Sequence, residues 1–264
     1  MKPIFSYAGN KYKEANYIKS LMPNNWNRIV EPFGGSAAFS FALETTHALI
    51  GDVRENNIIT LEKFQQDGPK ILEYFNSIKD YTKKELEQLF YYNRDELFGT
   101  EDPILQAQRW IVIRNLCYSG LDRINEKTGK YNVSFGFRNN MPWNGTHQHY
   151  ELIQDWEFKL QDWKRTCNEV VETDFVLLDP PYYNRNSSYG GNYEDEEQIH
   201  TDIRDFMANT PAKCMIVHID CPLYRELYKE MNIIEKDFTY NIISNDKKVK
   251  HLYITNYQNE NQLF

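Results

Sequence analysis

No run of roughly eighteen consecutive apolar residues occurs in the 264-residue chain, so nothing in it reads as a membrane-spanning helix. The opening stretch "MKPIFSYAGNKYKEANYIK" lacks the apolar core and small-residue cleavage site of a signal peptide. Cysteine is scarce. The four, Cys117, Cys167, Cys214 and Cys221, form no C-x-x-C pair and no zinc spacing. His218 falls between two of them, but within the apolar run "CMIVHID". A core histidine beside reduced thiols is therefore expected rather than a metal ligand, and with it a reducing, cytoplasmic setting.

Net positive charge is lacking too. A formal charge of −8 excludes a protein that coats nucleic acid with its whole surface. A local basic patch remains possible: residues 109–140 carry Arg109, Arg114, Arg123, Lys127, Lys130 and Arg138 against Asp122 and Glu126 alone. Hydrophobic content of 41% and charged content of 26% are those of a soluble globular protein. The aromatic share of 15% can serve a core or provide faces on which bases stack.

The chain alternates strand and helix at both ends. "NRIVEPF" (27–33) reads as a buried strand, followed by Gly34, Gly35 and Ser36, the helix start "AAFSFALE", and a second strand "HALIGD" (47–52). Strand, glycine turn, helix, strand and acid open a nucleotide-binding α/β unit. Residues 55–118 are helical in pattern, with Asp102-Pro103 suited to a helix start. The segment 120–140 suggests a hairpin or loop around Thr128-Gly129. Alternation then resumes with the strand "DFVLLD" (174–179), the helix "DEEQIHTDIRDFMAN", the strand "KCMIVHID" and the helix "PLYRELYKEM". "FTYNIIS" and "KHLYITNY" read as a closing antiparallel pair joined by "NDKKV". The organisation expected is an α/β domain from residues 1–53 and 150–264, interrupted by a helical and loop-rich insertion, 54–149.

Two motifs carry chemistry. In "EPFGGSAA" (31–38) small residues stand where strand turns into helix, so backbone can approach a ligand closely. Glu31, at that strand's end, repels phosphate but suits a cationic group. Asp52 follows where a ribose-binding acid belongs. The second motif is "DPPYY" (179–183), at the end of an apolar strand. Its prolines remove two amide donors and hold the chain extended, leaving carbonyls as acceptors. Asp179 adds a further acceptor and Tyr182 a stacking face. Acceptors beside an aromatic plate suit a planar group bearing an NH₂, such as the exocyclic amine of a base.

Taken together, these segments resemble the Dam-like DNA adenine-N6 methyltransferases (D12 class, alpha group), in that family's order and over nearly the whole chain. "SYAGNK" (6–11) is similar to the family's amino-terminal motif and "EPFGGSA" to its cofactor loop. "RNLCYSGLDRINEKTGKYNVSFG" (114–136) is similar to its recognition segment, "LQDW" (160–163) to its adenine-recognising motif, and "NIISNDKKVKHLYITNY" to its last strands. The departures are Ala37 for a usual glycine, Ser119 for asparagine and Ser134 for proline, with Asp122 adding a negative charge beside Arg123.

The resemblance implies a Rossmann-like class I methyltransferase sheet with an inserted target-recognition domain. It implies methyl transfer from S-adenosylmethionine to N6 of a flipped adenine in duplex DNA, with GATC the first target to test. Asp179, Pro180, Pro181 and Tyr182 would be catalytic. Tyr7, Lys11, Phe33, Gly34, Gly35, Asp52, Asp162 and Asp179 would bind the cofactor. Arg123, Asn125, Lys127, Lys130, Asn132 and Arg138 are the DNA-facing candidates, with Lys247 and Lys248 as further backbone contacts. Residues 183–197 read as a loop closing over the pocket. A monomer without an obligate protein partner or metal is implied. The rivals are a silent binding subunit and a methyltransferase acting on RNA or a protein amide.

Overall fold

The computed structural model describes residues 1–125, 127–181, 193–242 and 245–258, with backbone alone for 193–196, 239–242 and 245–248. After a 3-10 turn at Tyr12–Glu14, the chain forms α1 (Ala15–Leu21), β1 (Arg28–Glu31), α2 (Ala38–Leu43) and β2 (Ala48–Asp52). Three helices follow, α3 (Glu55–Ser77), α4 (Lys83–Asp95) and α5 (Pro103–Leu116). Next come α6 (His147–Leu152), β3 (Glu157–Leu160), α7 (Trp163–Asn168), β4 (Asp174–Leu178) and α8 (Tyr193–Asn209). The chain closes with β5 (Lys213–Ile219), α9 (Pro222–Leu227), β6 (Asn232–Ile242) and β7 (Asn245–Thr255).

Among the described residues seven strands make one sheet, in the order β3-β2-β1-β4-β5-β7-β6. Pairing is parallel from β3 through β5, while β7 runs antiparallel to both β5 and β6. This is the Rossmann-like methyltransferase sheet that the sequence leads one to expect. The inner parallel strands β1, β2, β4 and β5 are mostly apolar, as strands covered on both faces must be, while the edge strand β3 buries Phe158 alone. Alternation assigns Val30, Leu49, Val176, Leu178, Cys214 and Ile216 to a core shared with α8 and α9. Ile29, Phe175, Leu177, Met215 and Val217 face the other way, toward α1. A third apolar cluster joins Phe41 and Ile50 to Ile58, Leu61, Phe64, Trp110 and Phe135. The helices after β2 therefore bury their apolar faces directly against β2 and α2.

Local chemistry explains the helix starts. Thr82 and Glu85 form a reciprocal capping box on α4. Asp102 caps α5 through the N–H groups of Ile104 and Leu105, with Pro103 at the first helical position. Around Thr128-Gly129 the expected hairpin is present, closed by an antiparallel Ile124–Tyr131 bridge with Gly129 at φ +65°.

The closing hairpin differs from the expectation. "NDKKV" does not connect the two strands but opens β7, pairing Asn245 with Ile242 and continuing to Thr255 opposite Asn232. Correspondingly, the helix expected over "PLYRELYKEM" stops at Leu227, leaving Asn232 to begin β6. Backbone pairing runs the full eleven residues of each strand, so polarity alone misjudges the ribbon's length.

Candidate functional site

The acids at the strand ends meet at one edge of the sheet. In the order β2-β1-β4, the carboxyl ends carry Asp52, Glu31 and, just beyond Leu178, Asp179. β1 is the strand at which the sheet's connectivity reverses direction, and in open α/β sheets ligands bind at the crevice made there.

Between β1 and α2 the backbone leaves no room for side chains. A Cβ on Gly34 would lie 2.3 Å from the Ile50 Cγ2 and 3.1 Å from the Gly51 carbonyl oxygen. Gly35 adopts φ +53°, and a Cβ there would meet the Tyr7 ring at 3.0 Å. The Gly35 N–H donates to Asp52 Oδ2 at 2.7 Å, so the turn and the end of β2 are pinned together. Asp52 Oδ1 accepts the Arg54 N–H at 2.7 Å. Burial pushes the Asp52 carboxyl up, and these amide donors oppose the rise. Ala37 takes a left-handed φ of 52° without being a glycine.

Glu31 is buried and bonded to Ser40. Its Oε1 accepts the Ser40 N–H and hydroxyl at 3.0 and 2.6 Å, and only 6% of the residue is exposed. Burial first, then the nearby Asp179 charge, pushes its carboxyl up to about 7. These bonds make the acid an anchor for the start of α2.

Asp179 is paired. Lys11, only 3% exposed, places Nζ 2.5 Å from Asp179 Oδ1 and 2.9 Å from the Gly9 carbonyl oxygen. Burial pushes the Asp179 carboxyl above its ordinary range, and the Lys11 charge and hydrogen bond oppose this. Pro180 is buried and Pro181 exposed, while Tyr182 and residues 183–192 of the expected closing loop 183–197 lie outside the described residues; its last part, 193–197, is corrected to the first turn of α8.

Tyr7 is half-buried between Gly35 and the Arg114 guanidinium, 4.9 Å above its ring. Burial, reinforced by Asp122 and Asp52, pushes its hydroxyl up to about 12. Phe33 stacks on Trp163 with centroids 5.8 Å apart, which brings the glycine turn against the "LQDW" segment. Asp162 in that segment is exposed and caps α7, its Oδ1 accepting the Lys164 N–H at 2.9 Å.

The expected DNA-facing residues divide. Arg123, Lys127, Lys130, Asn132 and Arg138 are exposed on and after the hairpin, with the Arg123 Nε donating to Asn132 Oδ1 at 3.1 Å. Asn125 is half-buried and uses Oδ1 to close its own turn on the Lys127 N–H. Lys247 and Lys248 lie in β7, their side chains outside the described set. Arg109 and Arg114, counted in the basic segment, are corrected by the structure, because both are buried. Arg109 reaches the Glu96 carbonyl oxygen. Arg114 donates to the carbonyls of Ser6, Gly120 and Leu121 and to the Tyr131 hydroxyl, tying the amino-terminal motif to the base of the hairpin. Asp122 turns inward as well, 3.3 Å from Arg54 Nε rather than beside Arg123. Charge counting could not give these directions; only the apolar neighbours of Arg114 in "RWIVIRNL" hint at burial.

Cys214 and His218 are buried in the core, with the His218 ring stacked on Tyr224 at 3.9 Å. No group of three His, Cys, Asp or Glu able to hold a metal occurs among the described residues. No described helix is long and apolar enough to cross a membrane.

Comparison with known proteins assigns the chemistry. The chain is 26% identical to a type II methyltransferase, M1.LlaDCHI, of Lactococcus lactis subsp. cremoris, over 98% of this chain and 96% of that protein. It is 26% identical to the type II methyltransferase M.CviBI of Paramecium bursaria Chlorella virus NC1A, covering 97% and 100% of the two chains. It is 24% identical to a DNA adenine methylase of Escherichia coli K12, covering 95% and 94%. Residues 7–242 match the family of D12 class N6 adenine-specific DNA methyltransferases. With a match of that extent, spanning both the glycine turn and the Asp179 strand end, the chain belongs to the D12 class N6 adenine-specific DNA methyltransferases.

Proposed function

We propose that this DNA adenine methyltransferase turns one adenine out of duplex DNA and methylates it at N6, with Asp179 and the Pro180 carbonyl accepting the hydrogens of the amine. The observation that carries the reading is the placement of Asp179 beside the glycine turn, at the adjoining carboxyl ends of β4 and β1. The methyl donor is S-adenosylmethionine, and the site fits it. Gly34 and Gly35 let the turn pack tightly on Ile50 and Tyr7, which keeps its backbone bare at the strand edge, and Asp52 presents a carboxylate beside it. When bound there, the cofactor supplies an electrophilic methyl group on a sulfonium sulfur. Asp52 suits the ribose hydroxyls, Phe33 and Asp162 the adenine ring and its amine, and Tyr7 and Lys11 the remaining part.

Adenine N6 is a weak nucleophile because its lone pair is delocalised into the ring. A carboxylate and a carbonyl that accept its two hydrogens draw density to the nitrogen as it becomes tetrahedral. Acceptors set for that geometry stabilise the transition state more than the ground state. Tyr182 is assigned the stacking face for the extruded base. Unpairing costs a few kcal/mol. On our reading that cost is offset by the exposed basic residues of the hairpin: Lys127 and Lys130 follow phosphates, while Arg123 and Asn132 reach base edges. Residues 54–149 act as the recognition part, and residues 1–53 and 150–264 as the catalytic part. The protein works as a cytoplasmic monomer without an obligate protein partner.

GATC is the target we test first. Duplexes containing GATC, after incubation with protein and cofactor, are digested with endonucleases that cut that site only when methylated or only when unmethylated. A switch from the second to the first supports GATC; methylation that leaves both patterns unchanged assigns another sequence. Replacing the target adenine by 2-aminopurine tests extrusion. Fluorescence should rise on binding, and an unchanged signal contradicts flipping.

A further inference from the structure

Behind the Asp179–Lys11 pair lies a second set of polar groups that no motif marks. Glu14 ends the 3-10 turn that follows Lys11, and its N–H donates to the Lys11 carbonyl at 3.0 Å. Its side chain is buried among groups from the far end of the chain. Glu14 Oε2 lies 2.9 Å from His251 Nδ1 and accepts the Tyr253 hydroxyl at 2.5 Å. Both partners are fully buried on β7. Phe238 of β6 stacks on the His251 ring, 5.2 Å between centroids, which sets the ring's plane. Burial pushes the Glu14 carboxyl up, but hydrogen bonds from His251 and Tyr253 and the Lys11 charge outweigh it and hold the group below its ordinary range. Glu14 is therefore an anion at neutral pH, and His251 Nδ1 carries the hydrogen between them.

Burying a carboxylate costs stability that an apolar residue of like size would not lose. Docking a short turn onto β7 does not require one. Its charge does serve the neighbouring pair through Lys11: the Glu14 carboxylate attracts the ammonium that is paired with Asp179, although acting directly on Asp179 it opposes that acid's charge. Misplacing a reacting group by about an ångström can cost on the order of a hundredfold in rate.

We propose that Glu14, held by His251 and Tyr253, is a positioning residue for methyl transfer: it fixes the turn that presents Lys11, and through Lys11 the Asp179 carboxylate against the adenine amine. The inference rests on Asp179 being the acceptor described above.

Single-turnover methylation at saturating cofactor and DNA tests it. Glu14→Gln keeps the size and loses the charge. It should slow the step about tenfold, with dissociation constants for cofactor and DNA within about twofold of wild type. In a Lys11→Met background the same change should slow the residual rate less than about twofold, because the group it positions is gone. Equal slowing in both backgrounds overturns the proposal, as does slowing accounted for by lost affinity. Tyr253→Phe removes one hydrogen-bond donor at nearly constant volume and serves if Glu14→Gln does not fold. About threefold slowing that depends on Lys11 is expected there, and an unchanged rate overturns the proposal. A wild type that leaves adenine N6 unmodified defeats the functional reading itself, whereas an active wild type with additive variants defeats the positioning role alone.

Discussion

The Lys11 ammonium sits 2.5 Å from the Asp179 carboxylate, joining the amino-terminal motif to "DPPYY" across 168 residues of chain. Two segments that resemble parts of one family in sequence thus meet as an ion pair at the strand edge where the glycine turn lies. The pair also sets the charge state in which Asp179 can act.

An acceptor carboxylate must be ionised to take the amine's hydrogens. Burial raises the Asp179 carboxyl and Lys11 lowers it. As pH falls, the methylation rate should therefore drop at a pH above the ordinary carboxylate range. Lys11→Met should move that acid limb higher still. Single-turnover rates across pH check this; an acid limb left in place by Lys11→Met shows that the pair does not govern it.

Glu31 predicts a stability effect of opposite origin. Its carboxyl is pushed from 4.5 to about 7 in the fold, so the folded state binds more protons than the unfolded one. Stability present at low pH is then lost as pH rises through that window, by about 3 kcal/mol from this group. Glu31→Gln keeps an oxygen for Ser40 and removes the titration. Its melting temperature should match wild type in acid and exceed it above neutrality, while equal melting at both ends contradicts the assignment.

Gly34→Ala puts a methyl group 2.3 Å from Ile50 and against the Gly51 carbonyl oxygen, neither of which is the end of a long flexible side chain. We expect a loss of about 2 kcal/mol in stability. Cofactor affinity, measured by calorimetry, should fall further than that strain alone would cause in a distant part of the sheet. A variant that binds the cofactor normally excludes the turn from the binding site.

The basic residues should separate by burial. Arg114→Met strands the carbonyls of Ser6, Gly120 and Leu121 and should cost about 3 kcal/mol of stability. Lys127→Ala and Lys130→Ala should leave melting unchanged, yet each should reduce the salt dependence of DNA binding by about one unit of slope. Unfolding by the lysine variants, or an unaltered salt slope, contradicts the DNA-facing assignment.

The strands β1, β2 and β4 were legible because each is a continuous apolar run ended by an acid, and α5 because Asp102-Pro103 announces its start. β3 was not anticipated: it is an edge strand in which Phe158 alone is buried. The full span of β6 and β7 was hidden because "NDKKV" is polar in sequence yet joins β7 through backbone pairing. Arg114 counts as a surface charge in sequence, yet points inward toward carbonyls that the fold supplies. The Glu14–His251 contact spans 237 residues and leaves no local pattern at all.

The most direct test of the account is the N6-methyladenine content of DNA after incubation with cofactor and either wild type or Asp179→Ala. Mass spectrometry of the nucleosides should find the modified base with wild type, and at least a hundredfold less, roughly, with the variant, while cofactor binding by the variant persists. Equal methylation by both proteins would contradict the central role assigned to Asp179.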